Sequence, residues 1–329
     1  MWDFSIGGAL ALMARTAPFV VLRVVVYFAV SAAFVLATGT GAGLGWGIGY
    51  LGDDAFHAQA TAWGAIAGFG LVAGLVFFLR DYLLYLVKAA HIAVMVEMMQ
   101  GATLPGGRGQ IAHGRAVVAA RFGTANALFA LDLLVKAVIG AITGLIEGLL
   151  ALFPIAGLDR VAGVLRAYLR LAVGLVDEVI LAHLLRQSQA DQPQADPWAQ
   201  AQDALVLYAQ NARPMLVNAA WLTLITWPLT ALVFLVMLAP AAAVVWMLPG
   251  ESSAAVLVFA VLFAWAVKAA LIEPFALACL LQVFFAVTEG QAPNPDWRAR
   301  LEAASERFRR LGETALQRAG LRPATGGMR

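Results

Sequence analysis

Six stretches of this chain, at about 17–38, 61–80, 124–153, 155–187, 214–239 and 254–289, are long and predominantly apolar. Each matches the roughly 20 helical residues that a hydrocarbon core of about 30 Å requires. Inside hydrocarbon a backbone must pair its own N–H and C=O groups, which leaves helices as the form such runs take. The expected fold is therefore all-α, a polytopic integral membrane helical bundle with about six transmembrane helices. Only 13% of the 329 residues are charged and the mean hydropathy is +0.81. Soluble domains carry roughly 25% charge, so a water-exposed globular fold is excluded.

The first run follows Met1 to Arg15 and carries Arg23 within it, and further runs succeed it, so it reads as a retained span and not a cleaved leader. No turn signal separates the second run from Arg80 to Thr103, which is dotted with Asp81, Lys88, His91, Glu97 and Gln100. Residues 61–103 are expected either as one helix of about 64 Å that overshoots the bilayer, or as a span followed by a seventh membrane segment. Arginines cluster at 105–123 (Arg108, Arg115, Arg121) and in the tail, while the connections 39–60 and 240–253 carry only Asp53, Asp54 and Glu251. That asymmetry predicts a multi-pass inner-membrane protein with both termini cytoplasmic. Residues 1–295 form the expected transmembrane domain and 296–329 a cytoplasmic, amphipathic, basic tail.

Two further helices are expected to lie along the interface. One covers about 197–213, opened by Asp196, closed before Pro214 and anchored by Trp198 at headgroup depth. The other covers about 296–318, where Trp297, Leu301, Ala304, Phe308, Leu311 and Ala315 make an apolar stripe with arginines beside it. Such a stripe suits an anionic membrane face, the protein's own surface or a partner. Gly47, Gly49 and Gly52 spell a formal G-x-G-x-x-G. It follows a membrane run and precedes Asp53 and Asp54, so a phosphate-binding loop is excluded. The same glycines, with Gly64 and Gly68, fit a flexible outer loop, a re-entrant turn or a close helix contact.

The lysines narrow the reading. Lys88, Lys136 and Lys268 are the only three in the chain, against 19 arginines, and all three sit in apolar surroundings. A charge at mid-bilayer costs on the order of 3 kcal/mol, so it pairs, snorkels or lines a wet cavity. Lys136 has Asp132 one turn earlier, Lys88 shares its helix with Glu97, and Lys268 is followed by Glu273. The fourth run adds Asp177 and Glu178 beside Arg166 and Arg170. Pro274 and Pro228 mark helix kinks, since proline removes an N–H and crowds a carbonyl one turn back. Trp227 and Trp265 are candidate aromatic walls for a cationic ligand. The candidate substrate or ion path is thus Glu273, Lys268, Asp132, Lys136, Asp177, Glu178, Trp227 and Trp265. No hydrolase, kinase or metal motif is present, so neither catalytic residues nor a cofactor or metal is expected. Cys279 stands alone and cannot form an internal disulfide.

The segments "AQDALVLYAQNARPMLVNAAW", Ala201 to Trp221, and "LIEPFALACLLQVFFAVTEG", Leu271 to Gly290, follow a layout that resembles the choline-transporter-like family over about 190 residues from Arg121. This chain is shorter, without a large outer cysteine-rich loop or a clear match to the acids near the end of the family's last span. The resemblance implies movement of a choline-like organic cation. Together these readings predict a transporter or facilitator of a small organic cation through a charged, hydrated interior. An oligomeric channel and a non-transporting membrane scaffold are the alternatives. Membrane lipids are the expected partners, a homo-oligomer is left open, and nucleic acid is not expected.

Overall fold

The structure, a computed structural model, describes residues 2–79, 84–104, 108–122, 135, 175–187, 196–248, 253–306, 308–310 and 313. Every regular element among the described residues is helical: α1 (Ile6–Arg15), α2 (Ala17–Gly49), α3 (Asp54–Leu79), α4 (Tyr85–Met99), α5 (Arg108–Phe122), α6 (Val176–Gln187), α7 (Pro197–Gln210), α8 (Ala212–Trp246), α9 (Ser253–Val267), α10 (Glu273–Thr288) and α11 (Pro295–Ala304). A π-helical turn, Lys268–Ile272, joins α9 directly to α10.

Four helices are long and apolar enough to cross a membrane: Ala17–Gly49, Asp54–Phe77, Ala212–Trp246 and Ala254–Thr288. They correspond to the first, second, fifth and sixth expected runs. The third and fourth runs lie outside the described residues except at 135 and 175–187. A helix of 33 or 35 residues is about 50 Å long, some 20 Å more than the hydrocarbon core needs. Three of the four are thus longer than an upright crossing requires.

The chain divides into two compact units. The first to consider, residues 17–87 and 225–275, holds α2, α3, the greater part of α8, and α9 with the π turn. The glycine run that reads as a loop in the sequence is helical up to Gly49. Gly41 and Gly45 face α3 so closely that a Cβ on Gly41 would sit on the Gly64 carbonyl, and one on Gly45 on the Ala60 carbonyl. Gly68 meets the Ala37 carbonyl in the same way. Helices approach this closely only through small residues, so the third of the three glycine readings is the one realised. Gly43 and Gly47, on the opposite face, have nothing within 4 Å. Elsewhere in this unit Ala241, Val245, Phe259 and Ala260 join α8 to α9, with Val35 of α2 against them.

The outer surface of this unit is apolar. Of the exposed large hydrophobic side chains in the described residues, all but Trp2, Leu10, Val217 and Leu224 belong to it. Only 11% of the best apolar window in each of Asp54–Phe77 and Ala212–Trp246 is buried by protein. An apolar face of that extent needs lipid or another apolar partner to cover it.

The other unit, residues 1–16, 88–224 and 276–329, is built differently. In α4, Ala89 to Val96 are each 2% exposed or less, so the helix is covered on every face. A helix covered on every face is a core helix; residues 80–83, on which the choice between one long helix and two segments turns, lie outside the described residues. His91 in α4 reaches Thr16 Oγ1 at 3.0 Å, and Gln110 of α5 donates to the Arg15 carbonyl at 3.1 Å. The N-terminus is tied in by Asp3, whose N–H donates to Asn218 Oδ1 at 2.7 Å and whose carboxylate accepts from Asn218 Nδ2 at 2.8 Å. Trp2 meets the Trp221 ring edge-on at 5.6 Å.

Both expected interfacial helices differ from the sequence reading. Trp198 in α7 is 8% exposed and eight of that helix's residues are buried, so Trp198 is a core residue and not a headgroup anchor. The tail helix stops at Ala304 because Ser305 is extended (φ −142°, ψ 110°) and caps a new turn, its Oγ accepting from Phe308 N–H at 3.2 Å. Leu301 and Phe308 of the apolar stripe are buried, and Arg298 reaches Gln202 and Asp203 of α7. Of the three surfaces that stripe could suit, it meets the protein's own.

Candidate functional site

The charged cluster of the membrane-length helices is built around the π turn. Pro274 has no N–H and its ring crowds the carbonyl one turn before it. The turn ahead of it is widened by one residue, the Glu273 N–H donating to the Lys268 carbonyl, and the helix passes the proline without stopping. The widening has a second effect. Five residues along an α-helix turn the chain by about 500°, which leaves residues i and i+5 on different faces. An i→i+5 turn aligns them instead. Lys268 Nζ consequently reaches Glu273 Oε1 at 2.9 Å.

Arg23 completes the cluster from α2. The buried face of that helix reads Phe19, Arg23, Tyr27, Ser31, Phe34, Thr38, Ala42, Gly45 and Gly49, at steps of four and three. Arg23 therefore points inward by register, at 1% exposed, and places Nη2 3.9 Å from Glu273 Oε2. One turn further along α2, Tyr27 packs edge-on against Trp265 at 5.2 Å. Ala266, Ala269 and Ala270 close the apolar layer around that pair. Arg23 Nε and Nη2 have no hydrogen-bond partner among the described residues. The three side chains carry two positive charges against one negative.

The predicted site residues divide as follows. Glu273, Lys268 and Trp265 come together here beside Pro274. Trp227 does not: it is 59% exposed on α8, where an amphipathic ring suits a membrane boundary better than a ligand wall. Helix α8 runs unbroken through Pro228. Asp132 and Lys136 lie outside the described residues. Arg23 was missed as a site residue, although its position midway between Phe19 and Tyr27 at steps of four marked it as inward.

A second pair is buried in the other unit. Lys88 Nζ reaches Glu178 Oε1 at 2.8 Å, with the Glu178 side chain 5% exposed. Glu97, expected as the same-helix partner of Lys88, instead meets His113 Nε2 at 2.6 Å. Nine residues separate Lys88 from Glu97, which puts them about half a turn apart on opposite faces. Asp177, next to Glu178, is half-buried. Breaking a buried pair by truncating one partner leaves an uncompensated charge. A double-mutant cycle on Lys88→Met and Glu178→Leu, read by denaturant unfolding, should give a coupling of about 2 kcal/mol or more. A coupling near the roughly 0.5 kcal/mol of a surface pair would contradict the burial.

Among the described residues no group of three or more His, Cys, Asp or Glu could hold a metal ion. No known protein family, curated protein or solved structure matches the chain.

Proposed function

We propose that the protein is a transporter or facilitator of a small organic cation in the inner membrane, with both termini cytoplasmic. The observation that supports it is the Arg23–Glu273–Lys268 cluster at a widened turn of a membrane-length helix. Ionisable groups within such helices are costly and mark ion or substrate paths by default. Irregular backbone in carriers accompanies the same role.

The proposed chemistry is an exchange of counter-ions. Glu273 holds Lys268 at one oxygen and faces Arg23 with the other. A solute ammonium, the group that the choline-transporter-like resemblance implies, competes with Lys268 Nζ for Oε1. Lys268, 36% exposed, is free to swing outward because its four-carbon stem is flexible. Trp265 on Tyr27 then forms the aromatic floor beside the exchanged pair. The contact of Arg298 with Gln202 and Asp203 of α7 engages part of the tail that a scaffold reading relies on.

Purified protein in liposomes should take up a labelled quaternary amine saturably. Glu273→Gln should lower the initial rate about tenfold or more, the loss of one charge-assisted contact being worth about 1.5–3 kcal/mol. If wild-type protein moves no amine above the protein-free background, the proposal fails.

A further inference from the structure

We infer that Arg23, assisted by Lys268, is a phosphate-binding site at the edge of the lipid-facing surface. The inference stands apart from amine transport and does not require it.

The first argument is hydrogen bonding. A guanidinium is a planar fork, and Nε–H with the Nη2–H on the same side forms the edge that grips an oxyanion with two parallel bonds. Those are the two nitrogens of Arg23 that lack a partner among the described residues, on a side chain only 2% exposed. Buried charged donors are almost always paired, so an unpaired fork calls for an acceptor. Glu273 does not supply it, since Oε2 stands 3.9 Å from Nη2 and Oε1 is engaged by Lys268 at 2.9 Å.

The second argument is charge. One carboxylate stands between two cations, so a bound monoanion brings the three-residue cluster to neutrality. An ammonium that takes the place of Lys268 leaves the cluster's excess positive charge as it was, so the anion is the ligand that neutralises it. Lys268 retains N–H donors beyond the one given to Glu273, because an ammonium has three.

The third argument is position. On α2 the exposed large apolar side chains begin at Val21, two residues before Arg23. On the last span they end at Leu271, two residues before Glu273. On α8, Trp227 and Trp246 are both exposed and are separated by about 28 Å of helix, close to one hydrocarbon thickness. Exposed tryptophans at that spacing mark the two interfaces. Glu273 is about 30 Å along its helix from Ser253, so the cluster falls at one such boundary. Phosphate groups are found there, on lipids and in the adjoining water, and basic sites between helices bind them.

The test uses the full-length protein and thermal unfolding. In detergent, inorganic phosphate is titrated against chloride at matched ionic strength. In nanodiscs, phosphatidylglycerol in phosphatidylcholine is compared with phosphatidylcholine alone. One of the two should raise the midpoint by about 3 °C or more at saturation. A response to inorganic phosphate identifies a free phosphate as ligand, and a response to phosphatidylglycerol alone identifies a lipid headgroup. Arg23→Lys keeps the charge and removes the fork, and should weaken the apparent affinity about tenfold. Lys268→Met keeps the Arg23 fork and should weaken it less. If wild-type protein responds to neither ligand, or if Arg23→Lys and Lys268→Met respond as wild type does, the inference is overturned.

Discussion

Glu273→Ala should destabilise the protein by about 3 kcal/mol or more, because it strips the facing carboxylate from a guanidinium that is 1% exposed. The unfolding midpoint in detergent is the measurement. Packing loss and charge loss are separable. Arg23→Met combined with Glu273→Leu removes both charges at similar volume, and buried pairs replaced in this way are often neutral or even stabilised. The double variant should therefore unfold well above Glu273→Ala. If Glu273→Ala melts with wild type, the cluster is more hydrated than its burial indicates. If the double variant melts no higher than the single one, side-chain packing and not charge governs the site. Glu273→Gln, used for transport, must be compared at equal folded fraction for the same reason.

The contact between α2 and α3 gives the second large effect. Gly41→Leu or Gly64→Leu places side-chain atoms where the opposing helix has its backbone. No rotamer relieves that overlap, so the helices must separate and lose contact along their length. Overpacking costs about 1–3 kcal/mol where neighbours can shift, and a backbone obstacle belongs at or above the upper end. Gly43→Leu and Gly47→Leu, on the open face of the same helix, should leave the unfolding midpoint within about 1 °C of wild type or raise it, since glycine is a weak helix former. Equal losses on both faces would mean that flexibility, and not proximity, is what the glycines provide.

Much of the fold was legible because lipid imposes length and apolarity together. The four membrane-length helices coincide with runs visible in the sequence, but the observed ends lie eleven residues beyond the expected one at Gly49, seven at Trp246 and seven before it at Asp54, and agree within one at Thr288. Pairing was less legible. Reasoning along one helix joins Lys88 to Glu97, but the structure joins Lys88 to Glu178, 90 residues away. Nothing in one sequence fixes which distant helix supplies a counter-charge. Lys268 and Glu273 were picked as neighbours in sequence, yet at five residues apart they meet only because the turn between them is π-helical. Trp198 and Trp227 were assigned opposite environments from those observed, since hydropathy alone does not separate a core tryptophan from a boundary one. Arg23 was the clearest omission: a lone arginine in an apolar run invites a snorkelling reading, and only the register of Phe19 and Tyr27 reveals the inward turn.

The widened turn carries a consequence for how this chain tolerates change. Excising a single amino acid between Lys268 and Glu273 would leave the hydropathy profile nearly untouched and restore ordinary winding, in which four residues turn the chain by about 400°, so later positions of that rod would keep their facing to within a few tens of degrees. The lysine and the glutamate would then stand four apart on one face, and the tightly enclosed stretch from Ala276 to Phe285 would still present the same side to its neighbours. Adding a residue there, with no further widening to absorb it, would instead turn that stretch by about 100°, so this spot accommodates the loss of a residue better than a gain.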